Sequence, residues 1–225
     1  MTRDEIINGH GLLPPVGETD RIDGARRYYA TPEGTFPSVT TILDATMPQD
    51  KRAALAGWRR KVGDQEADRA RDSAAKRGTR FHKVVEKYLL ADPRPEPPHD
   101  LYFKSAANFI GRIERVLLIE GEVWHDGIGY AGSLDLLAVV DGQITLIDWK
   151  TRNDPLPKVR AMGHMVQAAA YAAAVHRLWG VVVDRAMIVC PIPRKKAQEF
   201  SADRSALRAA WAEFRQRAAT FHSGF

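Results

Sequence analysis

The chain has 225 residues, 44% of them hydrophobic and 27% charged, the balance of a soluble globular protein long enough for one sizeable core. Its only cysteine, Cys190, excludes a disulfide framework, a zinc-finger ligand set and a cysteine-ligated iron–sulfur cluster within one chain. Lys and Arg number 33 against 28 Asp and Glu, a formal net charge of +5, which suits a polyanionic partner without requiring one.

The opening MTRDEIINGHGLLPP carries acids and no apolar run suited to a signal peptide. No later stretch reaches the ~18 apolar residues of a spanning helix, so a cytoplasmic chain with no membrane partner is expected. Residues 27–37 read as a short hairpin turning at Pro32-Glu33-Gly34, and Ser38 stands as a helix cap before VTTIL. From 50 to 90 the pattern is helical, with Gly63 and Gly78 as punctuation. Ten Lys or Arg against four Asp or Glu fall between Lys51 and Arg80, a local basic segment.

Prolines exclude helix and sheet from 91–100, and an amphipathic helix is expected over 100–118. Then the period changes. Segments 120–124, 132–140 and 143–150 read as strands, followed by an alanine-rich helix over 158–178, a strand over 181–191 and a helix over 202–221. The sum is an α/β chain forming a single domain over 1–225. It has a helical part at 37–90, a sheet core at 118–192 and a C-terminal helix at 202–221.

The informative segment is GSLDLLAVVDGQITLIDWKT, residues 132–151. Asp141-Gly142 between two apolar runs predicts a two-residue type I′ hairpin that pairs Val140 with Gln143. That register sets Asp135 directly opposite Asp148, and alternation puts Asp135, Asp148 and Lys150 on one face. Opposed side chains in such a pair have Cβ atoms about 4.5–5.5 Å apart, where two carboxylates repel. Leu137, Val139, Ile144 and Leu146 fill the rest of that face, and Leu136, Ala138, Val140 and Ile147 the other, so the strands should be central. Paired acids at the edge of a core need a raised pKa or a bound cation, and oxygen donors suit Mg²⁺ or Mn²⁺. An acid-x-Lys triplet alone arises about once by chance in such a chain, and a surface ion pair of Asp148 with Lys150 is the plainer alternative.

Further motifs stand in order around this hairpin: Gly78-Thr79-Arg80-Phe81-His82 upstream, Glu120 fifteen residues before Asp135, and Gln167-Ala-Ala-Ala-Tyr171 downstream. With Asp135 and Asp148-Trp149-Lys150 they resemble the PD-(D/E)xK nuclease superfamily in its RecB-like exonuclease branch. The resemblance spans about 37–175, including the Pro37–Leu43 segment and Trp58-Arg-Arg-Lys61. It implies a restriction-endonuclease-like core, a central mixed β-sheet flanked by helices with a helical N-terminal region. It also implies a Mg²⁺- or Mn²⁺-dependent exonuclease acting on DNA, single-stranded with free ends, in replication, recombination or repair, in a bacterial or phage setting. A helicase or recombinase partner belongs to the same expectation. The lone cysteine sets the chain apart from the iron–sulfur members of that branch.

By this resemblance Asp135 and Asp148 are metal ligands and Lys150 orients water or neutralises the scissile phosphate. Glu120 joins the catalytic set, although Glu122 would share its strand face. His82 is read either as a metal ligand or as a structural histidine. Gln167 and Tyr171 share a helical face that by the same resemblance is turned toward DNA, Gln167 touching the site and Tyr171 supporting it; a buried polar pair anchoring the helix is the alternative. Trp58, Arg59, Arg80, Phe81 and Thr151 are candidate nucleic-acid contacts, by stacking or by charge, with Arg194-Lys195-Lys196 as a second basic cluster. A structure-specific endonuclease and a catalytically silent nucleic-acid-binding module are the rival readings.

Overall fold

The computed structural model describes residues 2–9 and 11–224. The N-terminal part comprises α1 (Arg3–Asn8), β1 (Asp20–Ile22), β2 (Tyr28–Thr31), β3 (Gly34–Pro37), α2 (Val39–Ala45), α3 (Gln49–Val62) and α4 (Asp64–Leu90). After α5 (Leu101–Ile110) come β4 (Ile113–His125), β5 (Tyr130–Val140) and β6 (Gln143–Trp149). The chain ends with α6 (Lys158–Trp179), β7 (Arg185–Cys190), β8 (Gln198–Asp203) and α7 (Arg204–His222).

Strands β1, β2 and β3 form a small sheet, and β4 to β8 form a five-stranded sheet in sequential order. Neighbours in the large sheet are antiparallel except β6 and β7, which run parallel. A parallel pair needs a crossover, and α6 supplies it. The Asp141-Gly142 turn has positive φ at both residues, 50° and 68°, as a type I′ turn demands. Val140 pairs with Gln143, and the register runs unbroken to Leu136 opposite Ile147.

Both faces of β5 and β6 are covered. Leu137, Val139, Ile144 and Leu146 pack with Ala161, Ala168 and Ala169 of α6, whose small side chains bring the helix close to the sheet. Leu136, Ala138, Val140 and Ile147 pack instead with Phe81 and Val85 of α4 and Phe103 and Phe109 of α5. At ~25 cal/mol per Å² of buried apolar surface, these two clusters are the main attractive term holding helices to sheet. The result is a mixed sheet between helical layers, as expected.

Five boundaries differ from the sequence reading. Gly63, at φ 87°, does break the helical run, whereas α4 passes through Gly78. One interior glycine costs about 1 kcal/mol, less than the stripe of Phe81, Val85 and Leu89 gains by burial. The helix expected to reach residue 118 stops at Ile110, since Val116 to Ile119 pair with β5; strand partners decide a run whose local preference is ambiguous. The sheet therefore begins at Ile113 rather than 118. It also extends past 192 to β8, a polar strand at the sheet's edge, and the last helix starts at Arg204.

Candidate active site

Three carboxylates stand in one row across β4, β5 and β6. Register pairs Ile119 with Leu136 and Gly121 with Leu134, which places Glu120 opposite Asp135. Asp148 follows Ile147, the last residue of β6 paired with β5, and Asp135 precedes its partner Leu136. The alignment depends on two register shifts in β4, between Ile113 and Arg115 and between Val116 and Leu118. Each bulge advances the strand by one residue; without them Leu118 would face Asp135. Glu120 has φ 45°, a left-handed backbone that costs a non-glycine residue of order 1–3 kcal/mol and is commonest at functional sites.

Helix α4 delivers His82 to this row. Its Nδ1 lies 2.9 Å from Glu120 Oε1, and its Nε2 lies 3.7 Å from Asp135 Oδ2. These three residues place ligand atoms within 4.8 Å of one another. Asp135 Oδ2 also accepts the Trp149 N–H at 2.7 Å, so β5 and β6 are joined by a side chain where their ladder ends. Glu122 sits opposite Ser133, which leaves Glu120 as the glutamate of the cluster.

Asp148 is 3% exposed and turns to Lys150, whose ammonium is 2.7 Å from Oδ1 and 2.6 Å from Oδ2. Only Oδ1 receives a hydrogen bond of good geometry; Oδ2 is buried without one. Burial and then the charge of Asp148 push the Asp135 carboxyl well above the usual range. Burial pushes the His82 imidazole down, but the Glu120 hydrogen bond and Asp135 more than reverse this, so its pKa is raised. Burial likewise opposes the Lys150 charge, and Asp148 and Asp135 overcome it. Crowded acids, one of them with a carboxylate oxygen buried without a hydrogen bond, and an imidazole form a donor set that fits a hard divalent cation.

Gln167 donates to the Tyr171 hydroxyl at 3.1 Å. Tyr171 is only 4% exposed and its ring lies against Gly132, so it supports Gln167 from below. Phe81 is 1% exposed and meets Trp149 edge-on at 5.4 Å. It builds the floor beneath β6, which corrects the expectation that it stacks on bases.

The other sequence-derived contacts are spread over α3, α4 and the segment after β6. Trp58 is 43% exposed on α3, available to stack. Arg59 is committed to Asp64 and Asp68, and Arg80 reaches Asp100, the cap of α5. Thr151 follows Lys150, its carbonyl accepting a hydrogen bond from Arg77. Asp64, Glu66, Asp68 and Asp72 pair with Arg59, Arg69 and Arg71, so part of the basic segment is neutralised within α3 and α4.

Two nearby residues escaped the sequence reading. His164, three residues before Gln167, feels the charges of Lys150 and Asp148; burial and then Lys150 push its imidazole down to about 4. The i, i+3 spacing from Gln167 is the signal that could have found it. Tyr102 donates to Asn153 at 2.6 Å, tying α5 to the segment that leaves Lys150; this long-range contact has no sequence signature.

The sequence model of the PD-(D/E)XK nuclease superfamily matches residues 110–224. The mitochondrial genome maintenance exonuclease 1 of Xenopus tropicalis is 32% identical over 161 residues, 68% of this chain and 46% of that protein. The protein of the same name in Mus musculus is 30% identical over 151 residues, 63% of this chain and 45% of its own. The human one is 27% identical over 151 residues, 63% of this chain and 44% of its own. The chain thus spans less than half the length of these relatives. The family match takes in β4 to α7, and with it Glu120, Asp135, Asp148, Lys150 and Gln167: this chain belongs to the PD-(D/E)XK nuclease superfamily.

Proposed function

We propose that the chain is a divalent-metal-dependent deoxyribonuclease that works as one catalytic unit over residues 1–225 and removes nucleotides from free ends of single-stranded DNA. The observation that carries this reading is the row of Glu120, Asp135 and Asp148 with Lys150 beside it and His82 above it. Membership of a nuclease superfamily and the exonuclease name of its vertebrate relatives support it. The preference for single strands and free ends, and a place in replication, recombination or repair, rest on the likeness to the RecB-like branch. Among the described residues no helix is long and apolar enough to cross a membrane.

Asp135, Asp148, His82 and Glu120 are the donors that would hold Mg²⁺ or Mn²⁺. Such an ion, when bound, lowers the pKa of water and offsets charge on phosphoryl oxygens. The chain's own residues do the rest. Lys150, held as an ammonium by Asp148 and Asp135, faces the scissile phosphate and neutralises its developing charge. The Trp149 N–H fixes one oxygen of Asp135, so the carboxylate is oriented before anything binds. Gln167, braced by Tyr171, turns its amide to the strand, while Trp58, Arg80 and Thr151 line the approach, with Arg59 holding α3 to α4.

The test uses purified protein with Mg²⁺ or Mn²⁺ and two single-stranded DNAs, one linear with a labelled end and one circular. Asp148→Asn is the control. Loss of the linear strand alone, absent in the variant, is expected. Cleavage of the circle makes the protein an endonuclease, and cleavage of neither strand, with binding to both, makes it a silent binding module.

A further inference from the structure

Helix α5 and the β7–β8 loop enclose an open groove of about 360 Å³ whose walls carry Lys104, Arg194, Lys195 and Lys196, with Ser105 and Asn108 between them. All four cations are exposed. None has a carboxylate partner among the described residues, unlike Arg59, Arg69, Arg71 and Arg80. Unpaired cations converging on one concave surface repel one another and concentrate positive potential, which an anion relieves.

The groove is built rather than incidental. Ser105 ties both ends of the loop to α5: its Oγ accepts the Ile192 N–H at 2.9 Å and its carbonyl accepts the Ala197 N–H at 3.0 Å. Lys195 N–H closes a turn onto the Ile192 carbonyl at 3.1 Å. Arg194, at φ 63°, holds a left-handed backbone that a non-glycine residue adopts at some cost.

Its position links it to the carboxylate row. The Lys150 N–H bonds the Val189 carbonyl and the Arg152 N–H bonds that of Pro191, so the chain leaving the row lies against the strand that leads into the loop. Arg194 is three residues past Pro191, a reach of at most about 11 Å. Tyr102 on α5 binds Asn153 in the same stretch. Lys150, Arg152 and the groove therefore lie at the same end of the sheet.

We propose that this groove binds backbone phosphates of the strand whose scissile bond lies at Lys150, a second anchoring site one or more nucleotides away. This rests on the nuclease reading. Pairing with backbone phosphate, not bases, is what exposed lysines on a polar floor can offer, and it carries no sequence preference.

The test measures binding of a fluorescent single-stranded oligonucleotide of about 20 nucleotides across a salt series. It is run without metal, in an Asp148→Asn background, with melting curves to verify folding. Single-strand binding loses about 0.7 of log–log salt slope per phosphate contact. Lys195→Ala/Lys196→Ala is expected to lower the slope by about 1.4 and weaken binding roughly tenfold or more. Lys104→Ala, on the other wall, is expected to lower it by about 0.7. Arg208→Ala/Arg215→Ala on α7, which removes the same charge elsewhere, is expected to leave it unchanged.

An unaltered slope in both groove variants, on a parent that does bind DNA, overturns this proposal alone. A parent that binds no strand, together with an unmodified chain that cuts none, overturns the nuclease reading and the groove with it. Calorimetric binding of inorganic phosphate that the double variant loses, with the strand slope unchanged, assigns the groove to a free anion and overturns the proposal as stated.

Discussion

Glu120 faces Asp135 because β4 uses two extra residues, at its two register shifts, before the strands come level. The backbone that holds Glu120 there is left-handed, and its neighbour Gly121 cannot carry a side chain: a Cβ would lie 2.3 Å from Leu118 Cγ. Gly121→Ala is therefore expected to push Leu118 from its place and cost about 1–3 kcal/mol, the usual range for overpacking. Adding Leu118→Ala should recover part of the loss. Urea unfolding of the single and double variants checks both, and a single variant as stable as the parent would count against the assigned backbone path.

Asp135 illustrates how a site stores instability. Its carboxyl is buried beside Asp148 and held above the usual pKa range, so its charge opposes folding in the absence of a cation. Asparagine keeps an oxygen for the Trp149 N–H and removes the charge. At pH 8 without metal, Asp135→Asn is expected to melt above the parent, by about 2–4 °C for each kcal/mol gained. Millimolar Mg²⁺ or Mn²⁺ should raise the parent's melting temperature, as any ligand of the folded state does, and leave the variant's unchanged. A metal-free variant that melts at or below the parent would sink this account.

The β5–β6 hairpin was legible because turn chemistry and alternation act locally. Asp141-Gly142 dictates the turn, the turn dictates the register, and the register brings Asp135 level with Asp148 and divides the apolar residues between the two faces. The row's third member required more. The choice of Glu120 over Glu122 depends on two bulges in β4, and nothing in VLLIEGEV marks where an extra residue will be inserted. Strand β8 hid in the polar QEFSAD, since an edge strand needs little apolar surface. The burial of Phe81 was misjudged because motif spacing reports which residues share a face, not which neighbour covers it. Its ring is covered from a distance in sequence, by Trp149.

Asp184 fastens three elements that its sequence position does not suggest. Its carboxylate takes Arg3 of α1 at 2.6 Å, Arg204 of α7, and the Ile144 N–H of β6 at 2.9 Å. Burial raises its pKa, but Arg3, the Ile144 N–H and Arg204 together bring it below the ordinary 3.8. A carboxyl whose folded pKa is depressed adds stability that is fully present above the unfolded value and is lost as pH falls through the folded one. Asp184→Asn should therefore cost about 1–2 kcal/mol at pH 7, the arginines being half exposed. It should also flatten the fall in stability below about pH 4. Denaturant midpoints of parent and variant between pH 3 and 7 decide the matter; parallel curves would remove Asp184 from the acid limb.

Gly132 of β5 lies against the Tyr171 ring of α6, beside the carboxylate row. A Cβ at residue 132 would stand 2.8 Å from Tyr171 Cε1 and 3.0 Å from its hydroxyl oxygen. The ring cannot retreat freely, because Tyr171 is buried and its hydroxyl holds Gln167. Gly132→Ala should then displace Gln167 as well as strain the core. The expected result is a loss of about 1–3 kcal/mol in stability, with weaker binding of a single-stranded oligonucleotide. Tyr171→Leu removes the clashing atoms, so the pair Gly132→Ala/Tyr171→Leu should regain stability without regaining the affinity that Gln167 supports. Recovery of both together would show that Tyr171 serves only to fill space. Recovery of stability alone assigns it the task of aiming Gln167.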